Sequence, residues 1–460
     1  MGGEFEFELP EPIIQRLQSL FTGKEAAQTT ILSKSWRSAW LTRPNLHFNE
    51  TEINIPTDEF LEFANKTVER YEESNLNIES FGLFTESRMR GDSDRNAKEL
   101  ILKALKIGAN DLTFQIRCYD WEFVLPHEVF GSENLVGLSV KGCKIDLGVI
   151  RCSRLESLCL DSVGIDDHSI SNIISSCPLI QNLSLVGSES PINLPKLHNL
   201  RCLVLSAVGI NNFFYGDLST KFPSLKELTL RYCCNAQDEI RICSRSLEHL
   251  NFEQGYYKVS RVEFDVPSIR KFMFEGWVIP SLSFISTSSE WESHLSIKFD
   301  FLSTSWFLEL NKFLTELSRS KIYLTLHSFD YNVEDIQALF TKKHEVENLT
   351  LDFAGLPSST ASAIFCFLLR LCRPKLITEL SSCRKAHNDF LCKKLAQGVN
   401  GEFSNPSNSM HGLHDLEDVS AQLYDEVVAA WCDVPLESFL DASTSPKDKQ
   451  TIRFQLKWKP

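Results

Sequence analysis

The sequence predicts an α/β fold in which a short helical module precedes an array of parallel strands. Three observations support this prediction. The first fifty residues hold three short helical patterns, a strand pattern then recurs every 20 to 25 residues, and the chain closes on an alternating apolar segment. Because each strand of such an array covers the open core of its neighbour, we expect a curved parallel sheet with outer helices and loops and a C-terminal capping region.

The composition is that of a globular protein with an acidic balance. The chain has 460 residues, of which 43% are hydrophobic and 23% are charged, and its net charge is −14. An acidic surface repels phosphate backbones, so nucleic-acid binding is not expected. The longest apolar stretch, residues 363–372, is too short to span a bilayer and is interrupted by Arg370. Because the N-terminus carries no secretory signal pattern, we expect a soluble protein of the cytoplasm or nucleus.

Residues 5–50 form the first predicted domain. Apolar side chains at positions 13, 14, 17, 20 and 21 lie on one stripe of a helix. Thr22 and Glu25 have the spacing of a capping box that begins a second helix. Trp36 and Trp40 lie four residues apart on one face of a third. The module is too small to bury both aromatic rings, which leaves two interpretations open. Its apolar face either docks a partner or fixes the module to the rest of the chain.

The residues of this module resemble the plant F-box. The resemblance rests on Leu9-Pro10-x-x-Ile13-Ile14-x-x-Leu17, Lys24-Glu25-Ala26-Ala27, Leu32-Ser33-Lys34-Ser35-Trp36-Arg37-Ser38-Ala39-Trp40 and Pro44-x-Leu46-x-Phe48. The sequence departs from the family at Phe21-Thr22, where Leu-Pro is usual. In this family the apolar face docks onto the Skp adaptor of a cullin–RING ubiquitin ligase. The resemblance therefore implies a Skp-binding surface formed or supported by Leu9, Pro10, Ile13, Ile14, Leu17, Leu32, Trp36 and Trp40.

Residues 51–130 are predicted to link the module to the array. A helical pattern covers residues 60–71 and an amphipathic helix covers residues 97–105. Strand-like alternation at residues 78–83 and 112–116 flanks the second helix. We interpret these segments as degenerate first repeats.

One pattern, L-x-x-L-x-L, then recurs seven times. Its middle anchors are separated by 20, 25, 20, 25, 22 and 22 residues and are Leu138, Leu158, Leu183, Leu203, Leu228, Leu250 and Phe272. A period of 20 to 29 residues with this core is the leucine-rich-repeat signature. We therefore predict a solenoid over residues 131–357, continued by looser strands near residues 295–299, 322–326 and 346–351. Asp166 is predicted to cap a short helix between two of the strands.

The residues that flank the inward leucines are predicted to face the concave wall and to bind a target. They are Lys141, Asp161, Asn182, Ser184, Glu227, Thr229, Arg231, His249, Asn251, Glu253, Lys271, Met273 and Glu275. Their mixed chemistry favours a protein or peptide epitope over a polyanion. Any solvent-facing strand would show a similar mixture, so this surface remains a hypothesis.

Residues 358–460 form the predicted C-terminal capping region. Two segments, residues 368–375 and 414–419, resemble C-terminal elements of the plant F-box/leucine-rich-repeat family. The alternation Ile452-x-Phe454-x-Leu456-x-Trp458 indicates a half-buried strand that could close the open end of the solenoid.

The sequence shows no catalytic or metal-binding motif. It lacks a phosphate-binding glycine loop, GxSxG, HExxH and any CxxC pair, so we expect neither an enzyme nor a cofactor. With the resemblance, this favours a substrate-recognition subunit of a Skp–cullin–F-box ubiquitin ligase, which would bind the Skp adaptor and a target protein. The alternative is a leucine-rich-repeat scaffold or sensor without ligase association.

Overall fold

The computed structural model describes most of the chain. The described residues are 9–86, 88–187, 193–209, 218–233, 239–254, 259, 261–333, 343–352, 358–379, 391, 393–397, 399, 413–425, 428–435 and 452–459. Residues 5–8 of the predicted first domain therefore lie outside the described residues. Contacts divide the chain into two units: residues 1–214 with 220–225, and residues 215–219 with 226–460.

The first unit begins with three short helices. They are α1 (Glu11–Gln18), α2 (Gly23–Gln28) and α3 (Lys34–Leu41), with a single 3-10 turn at Thr29–Ile31. The predicted capping box is confirmed, because the Thr22 hydroxyl accepts from the Glu25 amide while the Glu25 carboxylate accepts from the Thr22 amide. Ser33 begins α3 by accepting from the amide of Trp36. The side-chain amide of Gln18 donates to Thr29 Oγ1 at 2.9 Å and to the Trp36 carbonyl at 3.1 Å. These two hydrogen bonds join α1 to the 3-10 turn and to α3.

The rest of the first unit alternates helices with strands. Its elements are β1 (Asn45–Asn49), α4 (Glu50–Ile53), α5 (Thr57–Glu73), β2 (Ser80–Thr85), α6 (Asp92–Lys106), β3 (Asp111–Leu125), α7 (Glu128–Gly131), β4 (Gly137–Ile145), β5 (Ser157–Asp161), α8 (Asp167–Ser176), β6 (Asn182–Val186) and β7 (Cys202–Ser206). The predicted cap of α8 is confirmed, since the Asp166 carboxylate accepts from the Ser169 amide at 2.9 Å. Lys103 of α6 bonds to Glu69 of α5 at 2.9 Å where the two helices pack together.

The seven strands of the first unit form one parallel sheet in sequence order. Each strand pairs with the next, and the residues at the core positions are matched one to one across every pair. One row of aligned, buried side chains therefore crosses the sheet; it consists of Leu46, Phe81, Leu112, Leu138, Leu158, Leu183 and Leu203. Burial of one such side chain contributes about 1.5–3 kcal/mol, so this row supplies much of the stability of the unit.

The second unit contains a longer sheet. A one-turn helix, α9 (Leu218–Lys221), lies at the boundary of the two units in the sequence. The elements that follow are β8 (Glu227–Arg231), β9 (Glu239–Cys243), β10 (His249–Glu253), β11 (Arg261–Asp265), β12 (Lys271–Gly276), β13 (Ser281–Ser286), β14 (Glu292–Leu302), α10 (Thr304–Glu316), β15 (Lys321–Val333), β16 (His344–Asp352), α11 (Ser358–Leu371), β17 (Cys372–Glu379), β18 (Leu416–Asp425), β19 (Ala430–Val434) and β20 (Ile452–Trp458). Parallel pairing joins β8, β10, β12, β14, β15, β16 and β17 in that order. The predicted α/β class with a mostly parallel sheet is thereby confirmed.

The strand predicted at residues 452–458 joins this sheet in the antiparallel direction. β20 pairs antiparallel with β17 and with β18, and β18 pairs antiparallel with β19. Ile452, Phe454 and Leu456 are buried while the residues between them are more exposed. The alternation in the sequence therefore predicted this strand correctly.

A second, three-stranded sheet replaces the expected outer helices and loops in three connections of the second unit. β9, β11 and β13 pair in parallel and lie in the connections between strands of the longer sheet. Phe264 of this sheet packs against Phe272 of the longer sheet with ring centroids 5.6 Å apart. The physical reason is visible in the side chains, because Val262 and Phe264 alternate with polar residues as a half-buried strand requires.

Candidate partner-binding surfaces

Exposed apolar side chains are concentrated on the three-helix module. Of the fifteen large hydrophobic residues that are exposed in the described part of the chain, five lie between residues 13 and 32. They are Ile13 (48% exposed), Leu20 (71%), Phe21 (48%), Ile31 (87%) and Leu32 (63%). We call these five residues the helical apolar patch. Apolar surface of this kind, left uncovered by the residues that the structure describes, is typical of a protein-binding site.

The eight residues that the resemblance assigned to Skp binding do not share one environment. Ile13, Leu32 and Pro10 are exposed, whereas Leu9, Leu17, Trp36 and Trp40 are half-buried. Ile14, next to the exposed Ile13, is only 1% exposed. Ile14 therefore belongs to the interior of the module and can only support a surface from beneath.

The two tryptophans differ in their surroundings. The ring of Trp40 is covered by the guanidinium of Arg43, whose central carbon lies 3.6 Å from the ring centroid. Trp40 also lines a cleft together with residues of β1. Trp36 is half-buried, and its carbonyl accepts the hydrogen bond from Gln18. Trp40 thus contacts its own chain on one face, as the second interpretation of the module expected for both rings.

Three residues of the helical apolar patch were not among the eight. Leu20 and Phe21 follow α1, and Ile31 ends the 3-10 turn. The signal was present in the sequence, since all three continue apolar runs past the ends of their helices. Their exposure depends on how the helices pack, which the helical periodicity does not report.

The first unit offers a sheet face with short side chains. Lys141 and Asp161 lie directly opposite each other on β4 and β5 and form an ion pair at 2.8 Å. Asn182 and Ser184 face solvent from the neighbouring strand β6. The charges of Lys141 and Asp161 offset each other, so the uncharged polar groups of Asn182 and Ser184 remain beside a neutral pair.

The second unit brings the other predicted target-binding residues together on three adjacent strands. The register aligns three rows: Glu227, His249 and Lys271; Thr229, Asn251 and Met273; and Arg231, Glu253 and Glu275. The Arg231 guanidinium lies 3.3 Å from the Glu253 carboxylate, and His249 lies 3.5 Å from that of Glu227. We call these nine residues the strand face. Because this face carries charges of both signs, it suits a protein epitope better than a polyanion.

One tyrosine at the end of this surface has an altered acidity. The hydroxyl of Tyr232 donates a hydrogen bond to the carboxylate of Glu253. That hydrogen bond, with a smaller effect of burial, raises the pKa of Tyr232 to about 12. Tyr232 therefore remains a neutral donor at physiological pH.

The surface continues on strands whose facing residues the sequence analysis did not assign. His294 on β14 and Tyr323 on β15 stack with centroids 4.5 Å apart and planes 7° from parallel. Their register places them beside Met273, which is 40% exposed. The sequence predicted the strands near residues 295–299 and 322–326. Assigning their alternate residues to the inner and outer faces would have placed both rings on the exposed face.

Metal-ligating side chains do not cluster in the described part of the chain. The described residues contain no group of three or more His, Cys, Asp or Glu side chains that could hold a metal ion. Cys152 and Cys177 are both buried, with sulfurs 3.4 Å apart. Among the helices that the structure describes, none has the length and apolar character needed to cross a membrane.

Comparison with known proteins identifies similar proteins in one plant. Residues 98–218 match the family model "FBD-associated F-box protein At5g56370, LRR repeats". The chain is 25% identical over 220 residues to the putative F-box/FBD/LRR-repeat protein At5g22610 of Arabidopsis thaliana, covering 46% of this chain and 43% of the relative. It is 28% identical over 192 residues to the F-box/LRR-repeat protein At3g59210 of the same plant, covering 39% and 38%.

A longer match extends over most of the chain. The F-box/LRR-repeat protein At3g59200 of Arabidopsis thaliana is 22% identical over 366 residues, which cover 76% of this chain and 61% of the relative. The matched regions thus span only part of each relative's own length. These findings confirm the resemblance recognised in the sequence: the chain is a relative of the plant F-box/leucine-rich-repeat proteins.

Proposed function

We propose that this chain is the substrate-recognition subunit of a Skp–cullin–F-box ubiquitin ligase. The observation that carries the proposal is the helical apolar patch, which lies on the module that resembles an F-box and precedes a parallel repeat array. The three short helices α1, α2 and α3 would act as the F-box, and β20 would cap the array. We place the protein in the cytoplasm or nucleus, where such ligases act.

The mechanism requires no bond-making by this chain. The F-box/LRR-repeat proteins that it resembles are generally non-catalytic adaptors, so ubiquitin transfer would be performed by other subunits. The helical apolar patch would bind the Skp adaptor, and the strand face would hold the target protein. Holding both at once raises the effective concentration of a target lysine near the charged conjugating enzyme.

Adaptor binding is tested with a charge placed on the patch. Leu32 is 63% exposed, so Leu32→Asp leaves the folded chain intact but would bury an unpaired carboxylate in the complex. Val149 is 66% exposed outside the module and provides the matched control, Val149→Asp. We expect Leu32→Asp to reduce the Skp adaptor retained in a pull-down by at least about tenfold, and Val149→Asp to retain the wild-type amount.

The outcome that overturns the proposal is equally direct. If the wild-type chain retains no Skp adaptor, or if Leu32→Asp retains as much as Val149→Asp, the patch does not dock that subunit. A scaffold without ligase association would then account for the chain. Ile14 is unsuitable for this test, because it is buried and its loss would disturb the module itself.

Target binding is tested separately on the strand face. Exchanging Arg231 for Glu places three carboxylates, with Glu253 and Glu275, in one aligned row. We expect this variant to lose proteins that the wild-type chain captures from plant extract under proteasome inhibition, while it still retains the Skp adaptor. An unchanged set of captured proteins would exclude the strand face as the target site.

A further inference from the structure

A polar cleft in the first unit has no role in the proposed function. It has a volume of about 660 Å³ and lies between α1, the start of α2 and the strand β1. This is the size range of small-molecule sites in proteins. Three aromatic side chains line it, namely Phe21, Trp40 and Phe84. The cleft therefore combines apolar walls with the polar groups described next.

Arg43 supplies the cleft with a cation that lacks a counter-charge. Its guanidinium stacks on Trp40, and one N–H group donates to the Trp40 carbonyl at 2.6 Å, which satisfies an end of α3. Among the described residues, no carboxylate forms an ion pair with it. Burial lowers the pKa of Arg43 to about 10, which is the expected effect of desolvating a charge without a partner. Several of the five guanidinium donors are left for an acid group.

Gln18 supplies an unused acceptor beside the same cleft. Its side chain is 3% exposed, and its nitrogen makes the two hydrogen bonds that join the helices. Its oxygen, Oε1, is buried and accepts no hydrogen bond from any described residue. A buried acceptor without a partner is costly, but this oxygen is sealed from the cleft and contributes no contact to a bound molecule.

The remaining charges of the cleft do not neutralise Arg43. Arg16 adds a second cation to the lining, and Glu52 is the one carboxylate among the lining residues. Burial lowers the pKa of His47, which favours the neutral form of its imidazole. The lining therefore carries a net positive charge.

We propose that this cleft binds a small molecule that carries a carboxylate or phosphate group beside a planar apolar body. The acid group would pair with the guanidinium of Arg43, since planar Arg donors match both kinds of oxyacid. The apolar body would lie against the aromatic walls. The cleft shares Phe21 with the helical apolar patch and Trp40 with the residues that the resemblance assigns to Skp binding. The inference rests on the lining of the cleft and not on the ligase assignment.

Calorimetric titration of the full chain at constant ionic strength tests the proposal. The probes are benzoate and phenyl phosphate, which carry both features, inorganic phosphate, which has no ring, and benzyl alcohol, which has no charge. We expect at least one of the first two to bind with Kd on the order of 1 mM, and about tenfold tighter than the last two. The stronger of the first two identifies the acid group.

Two variants and a control complete the test. Arg43→Gln is expected to weaken binding at least about tenfold, whereas Arg37→Gln, which alters an exposed arginine outside the cleft lining, leaves it unchanged. Because Arg43 also satisfies a helix end, Asn45→Trp provides a second variant that fills the cleft from an exposed position. Saturable binding that neither variant weakens, or no binding of benzoate and phenyl phosphate to the wild-type chain, would overturn the inference.

Discussion

Ile13 and Ile14 are adjacent and identical in composition, and the structure predicts opposite consequences for their removal. Ile14 is 1% exposed and Ile13 is 48% exposed. Exchange for Ala removes three carbon atoms, each worth about 0.8 kcal/mol when fully buried. For Ile14→Ala the transfer contribution is therefore roughly 2.4 kcal/mol, and the cavity left behind raises the total to about 3 kcal/mol. For Ile13→Ala the half-exposed side chain leaves no cavity, and the cost is about 1 kcal/mol.

Native-state hydrogen exchange can measure the difference in stability between the two variants within the helical module itself. We expect the small module to open locally, in which case the amides of α1 and α3 report its stability without unfolding of the sheets. A difference of about 2 kcal/mol corresponds to roughly 30-fold faster exchange in Ile14→Ala than in Ile13→Ala. Ile31→Ala, at an 87% exposed position, provides a control that should exchange at the wild-type rate. Equal exchange in the two adjacent variants would refute the assignment of Ile14 to the interior.

Three further predictions concern single contacts. Thr22→Ala removes the capping box, so the amides of α2 should lose about 1 kcal/mol of protection in the same exchange experiment, while those of β5 should not change. An equal loss of protection in α2 and β5 would contradict this prediction. Burial by itself raises the pKa of Asp415, but hydrogen bonds from Arg373 and Lys343 outweigh it and lower that pKa. Its stabilising effect is therefore present above the unfolded value of about 3.9 and is lost as the pH falls through the lower folded value. In denaturant titrations, Asp415→Asn should remain less stable than wild type at pH 7, and the gap should close below about pH 4; a gap that is constant with pH would contradict this. Cys152 and Cys177 are buried, so iodoacetamide should label the exposed Cys432 of the native chain and should reach the buried pair only after unfolding.

The sequence predicted the repeating elements well because their signal is local. Leu158 and Leu160 are both inward residues of one strand, and the alternation that buries them is readable from neighbouring positions. The capping interactions at Thr22 and Asp166 were equally readable, since each depends on two residues three positions apart. Patterns of this kind need no knowledge of the rest of the chain.

The features that the sequence did not predict depend on which elements pack together. The apolar stripe of α1 includes Ile13 and Ile14 alike, and only the packing of the helices decides that one is sealed and the other exposed. The three-stranded sheet was missed because only outer helices and loops were expected between the strands, and the alternation at Val262 and Phe264 was not assigned. The cleft combines Gln18 with Arg43, which are 25 positions apart and carry no shared pattern. The resemblance to the F-box could supply a partner, but not these distances.

The alternation along the strands has a consequence for divergence between relatives. On β10, Leu250 and Phe252 are sealed inside while His249 and Asn251 point to solvent from the same five-residue segment. Exchanges at such outward positions usually cost within about 0.5 kcal/mol, whereas the inward ones are costly. The outward surface of the strands can therefore change one side chain at a time with little loss of folding stability.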